Sequence, residues 1–514
     1  MQGDPSTGGR INSLIVCLLL VIASVLFAYQ TRHSQCWACW GRCVLENWRE
    51  VGYWNLHGHP AINPGGIHAG EKPVFYVAYR GLSLLPMYWL YLLTGNLNTA
   101  LVLAYWLLTI VLVTAIWWFF GKNPWALLIA SAFCLSPAYV RLGVMNWDPV
   151  PGTTLIGIPV MLILVRSIAV PPQSRARSFL VLTLVAVYSQ IEWATVFALG
   201  VGWAACAVLL WPSKRRQLML FTVLMVCLVS ICALATMWKK SGGGSGVSQV
   251  LSSYTIGSVG YDRHGMSWPL ALKRWGPVCA IGLLPLWIAF FPSAWPSFRK
   301  NPRETLVACL PLWAAGAEIL VLRNAMAHHQ WISLPAVALG IMLSLYLLRR
   351  PAASGTAGSD AAPVGPGLTA RATLLFVIGA TLYCLAIVSI FRANDAEVQS
   401  LMRLAATNTP RRALIVVGTD LGRIINIDDL AGIIDRRCIP MDTTMPPPGE
   451  LSEAGAYLIN STPLAGVGPL VAQSTATKGD LAAQLLSWYR TRIARKNFRL
   501  QQVETCYLYR LESH

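Results

Sequence analysis

Apolar and polar positions alternate along this chain in long blocks rather than at the spacing of a surface helix or a half-buried strand. A run of about twenty residues that is apolar on every side has no face to give to water, and reads as a helix surrounded by lipid. Such runs fall at 11–29, 97–120, 125–140, 154–169, 179–211, 218–238, 278–291, 305–322, 331–348 and 372–391. The run 179–211 is flanked by basic residues on both sides, so it must return to its starting side as a hairpin turning near "SQIEW". That predicts about eleven crossings at ~20 residues each. The first run follows Arg10, has no small-residue cleavage site after it, and reads as a signal anchor.

Beyond 391 the pattern shortens. "EVQSLMRLAA" and "DLAAQLLSWYRTRIARK" predict helices, "RALIVVG" and "GAYLINS" buried strands, and "FRLQQVETCYLYRLE" a hairpin-like end. The predicted architecture is an α-helical polytopic membrane domain over 1–392 followed by a small α/β domain over 393–514. "VVGTDLG" lacks the spacing of a dinucleotide-binding loop. "PAASGTAGSDAAPVGPG" and "KKSGGGSGVSQ" read as a linker and a Gly-rich loop.

Composition agrees with a membrane protein: of 514 residues, 55% are hydrophobic and only 12% charged. The formal net charge of +18 raises the question of a nucleic-acid partner. The basic residues, however, form neither a tail nor a stripe. Lys122, Arg175 with Arg177, Lys214 to Arg216, Arg299 with Lys300 and Arg303, and Arg349 with Arg350 occupy every second connection, as one cytoplasmic side requires. No nucleic acid is expected. The N-terminus is then inside, and 31–96, 239–276 and 393–514 are extracytoplasmic.

Most of the chemistry falls on that outer side. "HAGEKPVFYVAYRG" puts Glu71 and Lys72 before an aromatic run, 74–93, that holds Pro86 and Arg80 and suits an interfacial helix better than a spanning one. An ammonium at headgroup level can meet a lipid phosphate, and Glu71 can bind a metal or pair with a cation. A snorkelling lysine with its counter-ion is the plainer alternative. Most of the thirteen cysteines sit in spans as small apolar residues. Cys36, Cys39 and Cys43 share a helical face, open to a disulfide or a soft metal, and Cys438 with Cys506 is a candidate pair.

These segments resemble the GT-C glycosyltransferases of the protein-mannosyltransferase and aminoarabinose-transferase type. The resemblance rests on "EKPVFYV", on "NWREVGYW" before it, on "LSPAYVRLGVMNWDPVPGTTL" and on "HHQWISLPAVAL". It implies a GT-C-like fold in a bacterial inner membrane. It also implies transfer of a sugar from a polyprenyl-phosphate donor to a lipid, glycan or protein acceptor on the outer side. On it, Lys72 matches the lysine that contacts the donor phosphate, Glu71 the acid that in some members helps hold a divalent metal, and Asp148 the second outer-loop acid. His264, in "YDRHGMSW", is a partner for Glu71 by loop position alone.

Two departures stand out. The family's early carboxylate is missing near "QCWACW", with Glu46 and Glu50 lying further on as replacements, and the family lysine near the fifth span gives way to Glu192.

Independently of family, transfer from a lipid phosphate needs a base for the acceptor and cations for the departing phosphate. Asp148, at a membrane edge that raises its basicity, fits the first role, although capping the next helix competes with it. Lys72, Arg263 and Arg323 fit the second. His328 and His329 are substrate-side candidates that equally suit capping of a span. The missing early acid supports a rival: a non-catalytic GT-C-like scaffold, or a lipid-carrier transporter or flippase.

Overall fold

The computed structural model of the protein describes residues 39–67, 72–75, 84–121, 124–139, 153–169, 268–321, 334–349, 374–387, 404–422, 430–431, 434–441, 455–465, 467–475 and 505–511, with scattered single positions elsewhere. They form a mostly helical body and one mixed sheet.

In chain order the main helices are α1 (Cys39–Val51), α2 (Leu85–Thr94), α3 (Leu97–Phe119), α4 (Pro124–Cys134), α5 (Ile158–Ala169), α6 (Trp268–Gly282), α7 (Leu284–Lys300), α8 (Pro302–Ala308), α9 (Leu310–Val321), α10 (Leu334–Leu348) and α11 (Leu374–Ile387). Local sequence explains their ends. Gly95 closes α2 in the left-handed region at φ 65°, its N–H donating to the Tyr91 carbonyl. The next residue, Asn96, caps α3 by accepting from the Thr99 N–H at 3.1 Å. "TGN" is therefore one sharp helix-to-helix turn. At α8, Asn301 caps in the same way and Pro302 occupies a first-turn position that needs no donor.

The expected run 97–120 is α3 within one residue, and the helix of α3 is long and apolar enough to cross a membrane. The run expected at 278–291 is different: α6 and α7 meet at Leu283 with a bend of 81°, where Pro285 opens the second helix. Among the described residues these two make one broken candidate span, and four more apolar helices are shorter. α9 and α10 pack at backbone distance, where a Cβ on Gly340 would stand 3.0 Å from the Pro311 carbonyl oxygen. Outward, the helices present Leu93, Trp106, Val111, Phe291, Trp295, Trp313 and Leu375 unburied, an apolar outer surface that water does not favour.

One end of this body is tied by arginines. Arg166 donates to the carbonyls of Trp118 and Phe119, the latter at 2.9 Å, and its guanidinium lies 4.4 Å from the Trp118 ring centroid. Arg349 lies 3.4 Å over the Trp125 ring and donates to Ser293 Oγ at 2.6 Å. The ends of α3, α5 and α10, the start of α4 and the middle of α7 thus gather together.

The sheet comprises β1 (Leu414–Val417), β2 (Arg437–Pro440), β3 (Ala456–Asn460), β4 (Leu470–Thr475) and β5 (Thr505–Leu511), in the order β2-β1-β3-β5-β4. β1 runs parallel to both β2 and β3, while β5 is antiparallel to β3 and β4. Alternation along the strands sorts the faces. Ile415, Val417, Tyr457, Ile459, Cys506 and Leu508 pack with Leu404, Ala405 and Ile434, and Val416, Leu458 and Tyr509 face the other way. The strands expected in "RALIVVG" and "GAYLINS" are β1 and β3, and "TCYLYRL" is β5, paired with β3 and β4. The helix expected in "DLAAQLLSWYRTRIARK" lies outside the described residues. The candidate Cys438–Cys506 disulfide is not formed: the two residues lie on β2 and β5, with two strands between them. At ~4.8 Å per strand the three spacings alone put their backbones at least about 14 Å apart, too far for a disulfide.

Candidate functional site

Of the residues proposed for donor, acceptor or metal, Lys72, Glu46 and Glu50 lie within the described structure. Glu71, Asp148, Glu192, Arg263, His264, Arg323, His328 and His329 lie outside the described residues, as do Cys36 and the structure around 76–83. The described three belong to one assembly: α1, the loop that follows it, and α2.

The loop after α1 is pinned from within. Trp48, fully buried, donates its indole N–H to the His59 carbonyl at 2.8 Å and packs edge-on against Tyr53 and Tyr88. The segment 72–75 is extended, not helical as expected from 74 onward. Ala61 bridges Phe75, and the Val74 carbonyl accepts from the Ile62 N–H at 2.8 Å. Asn63, buried, holds the same segment by accepting from the Val74 N–H at 2.7 Å and donating to the Lys72 carbonyl at 3.3 Å. A side chain with one donor and one acceptor end can mimic a strand neighbour in this way. The Lys72 side chain itself is exposed.

The two early carboxylates have partners. Tyr91 donates its hydroxyl to Glu46 Oε2 at 2.9 Å, and Arg49 donates to the same hydroxyl while lying over the Tyr91 ring. Glu50 forms an ion pair with Arg411 and a longer one with Arg412, at 3.8 Å. Two acids expected as replacements for a missing base are therefore engaged with cations and a phenol.

Arg411, just before β1, joins the loop to the sheet. Its Nε pairs with Asp435 Oδ2 at 2.5 Å, and its Nη2 donates to Asn47 Oδ1 at 2.9 Å. Asp435, buried, accepts from the Gly65 N–H at 3.0 Å. The two carboxylates hold the Arg411 guanidinium well above its ordinary pKa, against the opposing effect of burial, so its charge is permanent. The loop makes room for this contact with glycines. Gly65 and Gly66 have φ of 77° and 104°, and a Cβ on Gly65 would stand 3.0 Å from the Arg411 carbonyl oxygen.

Cys43 sits behind the junction, donating to the Asn63 carbonyl at 2.9 Å and receiving Asn47 Nδ2 at 3.6 Å. Burial, reinforced by the nearby Asp435, pushes its thiol well above the usual range. It is a free, protonated thiol. Among the described residues no three His, Cys, Asp or Glu side chains gather as a metal site. Next to Asp435, buried Arg436 has no carboxylate within ion-pair reach among the described residues, and donates instead to Thr409 Oγ1 and to the carbonyls of Ala406, Thr409, Ile434 and Asp435. Burial lowers it to about 10, and it stays charged at neutral pH.

Of the junction residues and those packed behind them, only Glu50 and Cys43 were marked by the sequence reading. The visible signals were the paired arginines ahead of a buried strand in "PRRALIVV" and the paired glycines in "NPGGI".

Fold and site together define a helical protein with an apolar outer surface whose first long loop is locked by charge to a mixed sheet. No family model matches the chain, and no curated protein matches it. It is similar to a crystal structure of ArnT from Cupriavidus metallidurans bound to undecaprenyl phosphate, with a TM-score of 0.47 and 15% identity over 77% of this chain and 68% of that one. At that score the likeness is one of outline.

Proposed function

We propose that the chain is an integral-membrane glycosyltransferase of the GT-C type, moving a sugar from a polyprenyl-phosphate donor to a lipid, glycan or protein acceptor outside the cytoplasm. In this reading residues 1–392 form the membrane domain and 393–514 an extracytoplasmic cap. The observation that carries it is the setting of "EKPVFY": the backbone of Lys72 is fixed by Asn63 while its side chain is left exposed. A fixed backbone with an exposed ammonium suits recognition of a phosphate that arrives from the lipid phase.

The remaining roles are assigned by chemistry. Asp148 takes the acceptor proton, and Arg263 and Arg323 join Lys72 on the departing phosphate. Glu192, His328 and His329 contact substrate, and Glu71 with His264 would hold a divalent metal that neutralises phosphate charge. Glu46 and Glu50 pass from base to support in this proposal, because Glu46 already holds the Tyr91 hydroxyl and Glu50 an arginine.

The same engagement of Glu46 and Glu50 favours a second reading, a scaffold or lipid carrier without transferase activity. Sugar release from labelled polyprenyl-phosphate hexose by purified protein in detergent separates the two. Turnover by the wild type, lost in Asp148→Asn, is the expected result. Tight donor binding with no turnover in the wild type would favour the carrier.

A further inference from the structure

The junction and the Lys72 segment are connected without a gap. Arg411 holds Asn47 Oδ1 at 2.9 Å, and Asn47 Nδ2 donates to the carbonyls of Ala61 at 2.8 Å and Asn63 at 3.1 Å. Asn63 then grips the backbone at Lys72 and Val74 with its own amide. A second tie runs from Arg411 through Asp435 to the Gly65 N–H, in the same loop.

Each amide in this path is oriented at both ends. Arg411 requires the oxygen of Asn47 to face it, which leaves the nitrogen for the loop carbonyls. Those carbonyls set the height of Asn63. Polar networks of this kind with a buried centre favour one arrangement, since a slip leaves a buried donor or acceptor unmade.

We propose that Arg411 is a positioning residue for Lys72: a side chain from the sheet unit that sets, through Asn47 and Asn63, the register of the segment carrying the exposed lysine. The structural half stands on the hydrogen-bond path alone. The kinetic half rests on the reading of Lys72 as the lysine that meets the donor phosphate.

Hydrogen exchange on the full-length protein in detergent tests the structural half. The variants are Arg411→Lys, which keeps the charge and loses the planar fork, and Asn47→Ala, which cuts the path while leaving the Arg411–Asp435 pair. In both, amides of residues 61–75 should exchange about tenfold faster or more, with those of β1 and β3 unchanged. Unchanged exchange at 61–75 in both variants overturns the proposal. Equal acceleration in β1 and β3 also overturns it, because that pattern is general loosening.

For the kinetic half, Arg411→Lys should lower kcat per folded enzyme for a labelled polyprenyl-phosphate hexose about fivefold or more with KM nearly kept, the pattern of a contact made chiefly as charge develops on the departing phosphate. A rise in KM with kcat kept contradicts that half. Absence of transfer in the wild type would defeat the transferase reading and leave the exchange result to decide the path.

Discussion

Arginine is used in two ways in this molecule. At one end of the helical body, Arg166 and Arg349 have carbonyls, a serine hydroxyl and the faces of Trp118 and Trp125 as partners. At the loop–sheet junction, Arg411 is held by two carboxylates and an amide. The first arrangement keeps charge near an apolar body with neutral partners that tolerate adjustment. The second fixes three separate pieces of chain at once. Neutral partners suit helix ends that need only be gathered, and paired charges suit a joint whose geometry must be unique.

The largest effect should come from Arg411→Ala, which leaves Asp435 buried without its cation. A loss of about 3–5 kcal/mol is expected, read as a fall in the unfolding midpoint of the sheet in detergent. A small change would mean that water reaches Asp435 freely and that the joint is looser than its geometry. Next is Gly65→Ala, which forces a side chain into the left-handed region and onto the Arg411 carbonyl, for about 1–3 kcal/mol. The same exchange at Gly95, whose added Cβ would meet nothing within 4 Å, isolates the cost of φ alone.

Arg349→Leu sharpens the contrast from the other side. It removes a ring-stacked cation worth about 2 kcal/mol when desolvated but leaves no unpaired carboxylate among its named partners, so its cost should stay below that of Arg411→Ala under the same unfolding conditions.

The smallest effect is a pH slope. The Cys43 thiol titrates above its usual value of 9.0 in the folded protein. Its contribution is complete below the unfolded pKa, and is lost as pH rises from there towards the folded one, because only the unfolded thiol ionises. Stability should fall more steeply above pH 9 in wild type than in Cys43→Ala, and Cys43 should resist alkylation until the protein unfolds.

How much of this was readable beforehand follows from distance along the chain. Helix α3 was legible because its apolar run and its "TGN" entry are local. β1 and β3 were legible because buried parallel strands are continuous apolar runs. β2, "RCIP", is too short and polar to signal itself, and β4, "LVAQST", lies at the sheet edge, where alternation relaxes. The bend at Leu283 was missed because the apolar run continues through it, although Gly282 and Pro285 in "IGLLPLW" are its local signal. Lys72 was found from its motif, but the means of holding it was not: Arg411 and Asn47 are 364 residues apart, and Gly65 and Asp435 are 370 apart. No local pattern announces such pairs. For the same reason Glu50 looked like a base candidate, when its partner lay at the far end of the chain.

The most direct measurement is single-turnover sugar transfer from a labelled polyprenyl-phosphate hexose, comparing wild type with Lys72→Ala in the same detergent and checking both by unfolding midpoint. The account predicts a loss of about a hundredfold or more, as for removal of a charge-stabilising donor, with the midpoint unchanged because the lysine is exposed and its backbone carries the contacts. Full transfer by Lys72→Ala would contradict it.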